Sequence, residues 1–167
     1  RDDTKPKIFN YPRLQTAGSG LTPSVDTHAV PYTTRRFISA QMISCHQMVR
    51  IALCQTNLPV GDLDENVERI RLRIDQASAQ GADLIVFPEL SLTGYPPEDL
   101  LLKPSFSQRA HDAVRRLSAD IHDTVVLVGF PYLSGDLFNG TAVLADGQVR
   151  SIYRKCRLPN YSVFDEQ

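Results

Sequence analysis

The sequence predicts an α/β domain, and three observations indicate this class. Short apolar runs alternate with amphipathic stretches from residue 48 onward, and the links between them are short. Strand, helix and strand in that order form the unit from which mainly parallel sheets are built. The run at 124–130 is almost wholly apolar, as in strands that are covered on both faces. At 167 residues the chain is long enough for one core domain, which we expect over 48–167.

Residues 1–47 show no clear hydrophobic period. They contain four prolines and the patch Gly18-Ser19-Gly20, a composition typical of linkers and tails. We therefore predict a disordered or irregular extension over 1–47 and a domain that begins at Met48. The chain opens on an arginine and stops at Gln167 without an obvious closing element, so we expect a fragment.

The first strand and helix of the domain have clear sequence signals. The stretch 49–55 alternates and then runs apolar, which predicts a strand. Asp64 is the candidate N-cap of the helix that follows, and Gly81 is placed to end it. A second strand is predicted at 83–87. The apolar face of the helix, at three- and four-residue steps, consists of Val67, Ile70, Ile74 and Ala77.

The second half of the domain predicts one more helix and three strands. Ser105 is the candidate N-cap of the helix. A third strand is predicted at 124–130. Asp146-Gly147 is a strong hairpin signal, which predicts strands at 138–144 and 148–153. The apolar positions of the helix are Phe106, Ala110, Val114, Leu117 and Ile121.

Glu89 directly follows the apolar strand at 83–87 and Pro88. Proline brings no N–H group to a sheet, so the strand ends there, and ligands of open α/β folds gather where strands end. Because the apolar residues Leu90 and Leu92 follow the carboxylate, we expect desolvation to raise its pKa and make it a proton acceptor near neutral pH. The alternative is a solvated glutamate without a chemical role. The Thr-Gly-Tyr-Pro-Pro stretch at 93–97 predicts a sharply turned loop.

Lys155 follows the last predicted strand, in a basic run at 154–157. A lysine brought beside Glu89 would keep that carboxylate ionised and could supply positive charge to a developing oxyanion. The alternative, which spacing alone favours, is a lysine that faces solvent.

The composition argues against several classes of protein. A net charge of −1 gives no reason to expect nucleic acid or an anionic membrane as a partner, and no apolar run is long enough to span a membrane. The three cysteines and four histidines show no ligand spacing, so we expect no metal site and a reducing, cytoplasmic location. The triplet Asn139-Gly140-Thr141 matches a glycosylation signal, and without a secretory signal peptide we attribute that match to chance.

Two sets of motifs carry a resemblance to a known family. Val-Phe-Pro-Glu-Leu at 86–90 and Thr-Gly-Tyr at 93–95, with Lys155 after a hairpin, resemble the nitrilase or carbon–nitrogen hydrolase superfamily. The stretches at 94–102 and 158–166 resemble one branch, the N-terminal glutaminase domains of glutamine-dependent NAD synthetases. The resemblance covers residues 48–167 and implies part of a four-layer α-β-β-α sandwich.

The resemblance implies a Glu–Lys–Cys triad that hydrolyses glutamine. Glu89 matches the general base of the family, and Lys155 matches the residue that stabilises the tetrahedral intermediate. Tyr161 matches a residue that contacts glutamine, while Tyr95 and Phe164 match aromatic residues that line the pocket. The family's nucleophilic cysteine lies downstream of the loop that matches Leu-Pro-Asn-Tyr at 158–161. We therefore expect that this fragment lacks the nucleophile and is inactive alone.

Cys156 is a poor substitute for that nucleophile. It directly follows Lys155, and in an extended strand the two side chains would point to opposite faces. Its basic neighbours could still lower its pKa, so it could react without being the nucleophile.

The resemblance also implies partners beyond the glutaminase domain. In the family, ammonia passes to a C-terminal synthetase domain that uses ATP and magnesium to amidate deamido-NAD, and full-length members form homo-oligomers. We expect no cofactor in this fragment. Two alternatives remain: another amidase of the same superfamily, and a non-catalytic truncated product that only folds or associates with full-length subunits.

Overall fold

The computed structural model describes residues 5–12, 48–156, 160–161 and 164–165. In this part of the chain a mixed sheet of six strands carries two α-helices on one face, which confirms the α/β class. A separate pair of two-residue strands follows the sheet. The elements are β1 (Lys7–Pro12), β2 (Met48–Leu53), α1 (Leu63–Ala79), β3 (Leu84–Val86), a 3-10 helix (Glu98–Leu102), α2 (Pro104–Ser118), β4 (Val125–Ser134), β5 (Asp136–Ala145), β6 (Gln148–Arg154), β7 (Asn160–Tyr161) and β8 (Phe164–Asp165).

The strands of the sheet lie side by side in chain order, from β1 to β6. β2, β3 and β4 run parallel, as the strand–helix–strand pattern predicts. The β1–β2, β4–β5 and β5–β6 pairs are antiparallel, so the expectation of a mainly parallel sheet is correct only for the three central strands. The predicted hairpin at Asp146-Gly147 is confirmed. A second reversal at Gly135, which was not predicted, joins β4 to β5.

β1 corrects the prediction that the first 47 residues hold no regular structure. It pairs with β2 along its whole length, with Phe9 opposite Ile51, and the Asn10 side chain accepts a hydrogen bond from Arg50 Nε at 3.3 Å. A strand of six residues between prolines has little periodicity to reveal it, and its partner lies about forty residues further along the chain. The rest of that prediction, on residues 13–47, lies outside the described residues.

α1 and α2 cover the same face of the sheet, and their apolar residues form one core with alternate residues of the strands. The predicted apolar faces of both helices are buried there. On the opposite face of the sheet, Val125 is 36% exposed and Leu53 is exposed too, so the prediction that strand β4 is covered on both faces is wrong at Val125 as far as the described residues show. The largest fully buried strand residues are Phe130, Ile85, Leu144, Val126 and Val128.

The helix ends differ in detail from the predictions. Asp62, not Asp64, is the N-cap of α1, because its carboxylate accepts a hydrogen bond from the Glu65 amide at 3.1 Å. Gly81, with φ of +74°, follows the C-cap as expected. None of the helices in the described ranges combines the length and the apolar character that a membrane span requires.

α2 also begins in a different way from the prediction. It starts at Pro104, whose missing N–H is harmless in the first turn of a helix, and Ser105 is not its cap. The helix ends at Ser118, so Ile121 lies beyond it, although its side chain is buried in the same core.

Candidate active site

Glu89, Asn139 and Lys155 meet at one carboxylate oxygen. Lys155 Nζ lies 2.6 Å from Glu89 Oε1, and Asn139 Nδ2 donates to the same oxygen at 2.5 Å. Glu89 lies in the loop after β3, Asn139 lies in β5, and Lys155 directly follows β6. The hypothesis that the fold brings Lys155 to Glu89 is therefore confirmed, and the alternative of a solvent-facing lysine is wrong, since the Lys155 side chain is only 30% exposed.

Asn139 and Lys155 are held together by the ladder between β5 and β6. Gly140 is paired with Arg154, and the Lys155 amide donates to the Asn139 carbonyl at 2.9 Å. Side chains alternate between the faces of a sheet, so Asn139 and Lys155 both project away from the helices. The spacing of these two functional groups is thus set by the main chain.

Arg154 fixes the other face of the same ladder. Its guanidinium lies 4.4 Å from the centre of the Phe138 ring and 5.4 Å from that of Tyr132, and it donates to Ser134 Oγ at 3.4 Å. Cation–π contacts contribute about 0.5–1 kcal/mol each at exposed sites. Tyr132 and Ser134 belong to β4, Phe138 belongs to β5 and Arg154 belongs to β6. These contacts therefore join three strands at the residue next to Lys155.

Gly129 allows the loop that carries Glu89 to cross β4. A Cβ at this position would lie 2.4 Å from Leu90 N and 2.9 Å from Pro88 O, so any side chain would collide with the main chain on both sides of Glu89. The Leu92 amide donates to the Gly129 carbonyl at 3.0 Å and fixes the crossing. Gly129 was not predicted to have this role, although a glycine inside a strand signals a close backbone approach.

Asn66 and Gly94 hold the loop that follows β3 and carries Glu89 (residues 87–97) against the loop that follows β2. Asn66 of α1 is fully buried, and its Nδ2 donates to the carbonyls of Pro59 and Leu92 at 2.8 and 3.1 Å. Gly94 has φ of +72°, and a Cβ there would lie 2.7 Å from Pro59 O. The loops after β2 and β3 are therefore clamped to each other and to α1.

The pKa of Glu89 is lowered, which is the reverse of the prediction. Burial raises the pKa, but the hydrogen bonds from Lys155 and Asn139 and the positive charge of Lys155 lower it by more. The Glu89 side chain is 43% exposed, so the leucines that follow it remove too little water to determine the outcome. The carboxylate is consequently ionised in the resting protein, as we expected of a glutamate with a lysine beside it.

Of the three aromatic residues assigned to substrate binding, only Tyr95 has a side chain within the described part of the structure. Tyr95 is 44% exposed, and its peptide bond to Pro96 is cis. The chain bends at Tyr95, within the stretch 93–97 where a turned loop was predicted. Tyr161 and Phe164 are paired across β7 and β8. Their side chains lie outside the described part of the structure, so their contact with glutamine stays a prediction, as does that of Tyr95.

Neither described cysteine makes a hydrogen bond to Glu89. Cys54 is buried in the core, and burial raises the pKa of its thiol to about 11 against the opposing charge of Arg73. Cys156 is exposed, and its Sγ donates to the carbonyl of Arg154 at 3.4 Å. Among the residues that the structure describes, no group of three or more His, Cys, Asp or Glu side chains could hold a metal ion.

The fold and the paired Glu89 and Lys155 define a class of protein, the carbon–nitrogen hydrolases. Residues 50–166 match the model of the carbon-nitrogen hydrolase family, and the chain belongs to that family. Among curated proteins it is similar to the glutamine-dependent NAD(+) synthetases of Xylella fastidiosa, with 49% identity over 123 residues, and Aquifex aeolicus, with 48% over 122 residues. These alignments cover 72% and 71% of this chain but only 23% and 21% of those relatives.

Solved structures show the same relationship. A glutamine-dependent NAD+ synthetase from Acinetobacter baumannii superposes with a TM-score of 0.65 and 42% identity, over 69% of this chain and 22% of that one. An amidase of the nitrilase superfamily from Nesterenkonia superposes with a TM-score of 0.59 and 25% identity, over 68% of this chain and 45% of that one. The chain therefore has a nitrilase-type α/β fold, of which the described residues form a helix layer and a sheet layer.

Proposed function

We propose that this chain is the glutaminase portion of a glutamine-dependent NAD synthetase, in which Glu89 is the general base and Lys155 stabilises the oxyanion. The observation that carries the proposal is the 2.6 Å contact between Glu89 and Lys155, two residues 66 positions apart in the sequence. The identity of 49% to a protein of that name supports the choice of branch. The nucleophile in this proposal is a cysteine outside the present sequence, so we expect the chain alone to be inactive.

The proposed reaction uses each group in turn. Glu89 accepts the proton of the nucleophilic thiol, whose sulfur bonds to the side-chain amide carbon of glutamine. The carbonyl oxygen becomes negatively charged, and the ammonium group of Lys155 compensates that charge. Glu89 returns the proton to the nitrogen, the C–N bond breaks and ammonia leaves a thioester. Water then attacks the thioester with Glu89 again as base, which releases glutamate and restores the thiol.

The lowered pKa of Glu89 is consistent with this cycle. Lys155 and Asn139 keep the carboxylate ionised before the substrate arrives, so its lone pairs are free to take a proton. When the charge of Lys155 is shared with the oxyanion, its hold on Glu89 weakens and the pKa of Glu89 rises. The base therefore becomes stronger at the stage at which it must carry a proton.

The synthetase half of the function rests on the relatives. In the proposed whole protein, ammonia from glutamine is used by a C-terminal synthetase domain, which amidates deamido-NAD with ATP and magnesium. That protein is expected to be a cytoplasmic homo-oligomer. Because this chain covers less than a quarter of its curated relatives, these features belong to the proposal alone.

A second candidate function is that of another amidase of the superfamily. The similarity to the Nesterenkonia amidase, at 25% identity, favours it. The NAD synthetases are more similar in sequence, at 42% to 49%, so the glutaminase proposal has the stronger support. A non-catalytic truncated product is the remaining alternative.

The test compares glutamate release by the chain and by the longest natural protein that contains it. We expect the longer protein to hydrolyse glutamine and the chain alone to be inactive. Glu89→Gln should slow the longer protein by about 10²–10⁴-fold, the usual contribution of a general base. Glu68→Gln, at an exposed position of α1, is the matched control and should retain full activity. Full activity of Glu89→Gln, or a preference for other amides, would reject the proposal.

A further inference from the structure

We propose that Asn139 is a positioning residue, which orients the Glu89 carboxylate and keeps it ionised independently of Lys155. Its role in catalysis rests on the function proposed above, whereas its effect on Glu89 does not. In the sequence, Asn139 was noted only as the first residue of a glycosylation signal.

The hydrogen bonds to Glu89 are unevenly distributed between its two oxygens. Asn139 Nδ2 and Lys155 Nζ both donate to Oε1, at 2.5 and 2.6 Å. None of the hydrogen bonds found among the described residues reaches Oε2. Two donors on one oxygen fix the rotation of the carboxylate, and Oε2 is then the oxygen that is able to accept a proton.

Asn139 and Lys155 do different work at that oxygen. Lys155 carries a full charge, and a group that must also stabilise an oxyanion cannot remain fully committed to Glu89. The amide of Asn139 is neutral, so it holds Glu89 in place throughout without adding a positive charge that would weaken the base further. Asn139 therefore preserves the geometry of Glu89 while the charge of Lys155 is shared with the substrate.

The main chain of Asn139 makes its side chain unusually easy to test. The Asn139 carbonyl accepts the hydrogen bond from the Lys155 amide at 2.9 Å, and every substitution retains that carbonyl. A change at position 139 thus removes the contact with Glu89 but keeps the main-chain acceptor of the β5–β6 ladder. Thr141, two residues further along β5, lies on the same face of the sheet and is half-buried like Asn139, so Thr141→Val is a matched control.

The direct experiment is a ¹³C NMR titration of the Glu89 carboxyl carbon in the protein that carries this sequence. Asn139→Leu removes the donor, and Asn139→Asp replaces it with a second carboxylate of the same size. Both variants should raise the titration midpoint of Glu89, with the larger rise for Asn139→Asp because a like charge disfavours ionisation. Thr141→Val should leave the midpoint unchanged. The amide resonance of Lys155 reports whether the ladder is intact.

Kinetics of glutamine hydrolysis give the second readout. Asn139→Leu should lower kcat by about 10–100-fold through misorientation of the base, with little change in KM. The acidic limb of the kcat/KM profile should move to higher pH, because a base with a raised pKa loses its proton later. A purely structural role for Asn139 would leave that limb in place.

The two readouts separate the two proposals. If the Glu89 midpoint moves but the protein does not hydrolyse glutamine, the positioning role stands and the proposed function fails. If the midpoint is unchanged in Asn139→Leu while the Lys155 amide resonance is preserved, the positioning role is wrong whatever the activity. Where Asn139→Leu does not fold, Asn139→Ala takes its place, because it also removes the donor to Glu89 without adding a charge.

Discussion

The main chain at Leu90 lies directly against Gly129 of β4. The Leu90 nitrogen is 2.4 Å from the point that a Cβ of Gly129 would occupy, closer than any two such atoms can approach. Leu90 itself has φ of +46°, a left-handed conformation that is rare for a leucine. The neighbouring Glu89 therefore depends for its position on the absence of a single methyl group in the adjacent strand.

Gly129→Ala should destabilise the protein and displace Glu89. The added methyl group meets backbone atoms rather than a flexible side chain, so we expect a loss of about 1–3 kcal/mol in the free energy of unfolding, as for other overpacked sites. Urea denaturation measures that loss. Gly135→Asn is the control, because nothing lies within 4 Å of its Cβ position and asparagine tolerates its positive φ. Equal stability of Gly129→Ala and wild type would contradict the close crossing.

Asn66→Asp should destabilise the protein, because it breaks the hydrogen bonds that join α1 to the loops after β2 and β3. The substitution preserves the size of the side chain but replaces the donor to Pro59 and Leu92 with a carboxylate that faces their carbonyl oxygens. A buried charge without a partner costs about 3–5 kcal/mol. Thermal denaturation above pH 6 should show a much lower Tm for this variant. Asn57→Asp, at an exposed position in the same loop region, should have almost no effect.

Lys155→Met should destabilise the protein by an amount that depends on pH. The pKa of Glu89 lies below its ordinary value of 4.5 in the folded protein, so its ionisation stabilises the fold above pH 4.5. That contribution is lost as the pH falls through the folded pKa. The difference between wild type and Lys155→Met should therefore be present at pH 7, at about 0.2–1 kcal/mol for a partly exposed pair, and shrink in acid.

The Glu89→Gln background provides the control for that measurement. In that background Lys155 has no carboxylate partner at position 89. The effect of Lys155→Met on the free energy of unfolding should therefore not change with pH between 3 and 7 through this pair. A difference between wild type and Lys155→Met that grows in acid would contradict the lowered pKa.

Asp62→Ala and Asp64→Ala should differ in stability, since only Asp62 caps α1. Loss of the bond from Asp62 to the Glu65 amide should cost about 1 kcal/mol. Asp64 pairs with Arg116 at 3.2 Å, but both side chains are well exposed, so its loss should cost less. Chemical denaturation of the two variants decides the matter, and a larger cost for Asp64→Ala would show that the helix begins later.

Local signals explain what the sequence could predict. Pro88 marked the end of β3, Asp146-Gly147 marked the β5–β6 hairpin, and the two helices had apolar residues at regular steps. Glu89 and Lys155 were found because each follows a strand and each matches a family motif. These features depend on neighbours within a few positions of the chain.

The features that escaped prediction depend on distant residues. Asn139 acquires its role only because β5 brings it to a glutamate 50 residues earlier, and Gly129 only because a loop crosses it. The pKa of Glu89 was predicted in the wrong direction, since the two donors outweigh its leucine neighbours. β1 is the clearest case, because its strand exists only through pairing with β2.

The contrast between the two described thiols offers a practical route to the site. A reagent such as a maleimide needs an accessible thiolate, so Cys54, with its high pKa and buried position, should resist it, whereas the exposed Cys156 should react. In a Cys45→Ser background a fluorophore would then be attached beside Lys155. Its emission would report the arrival of a ligand at Glu89 without any need for turnover.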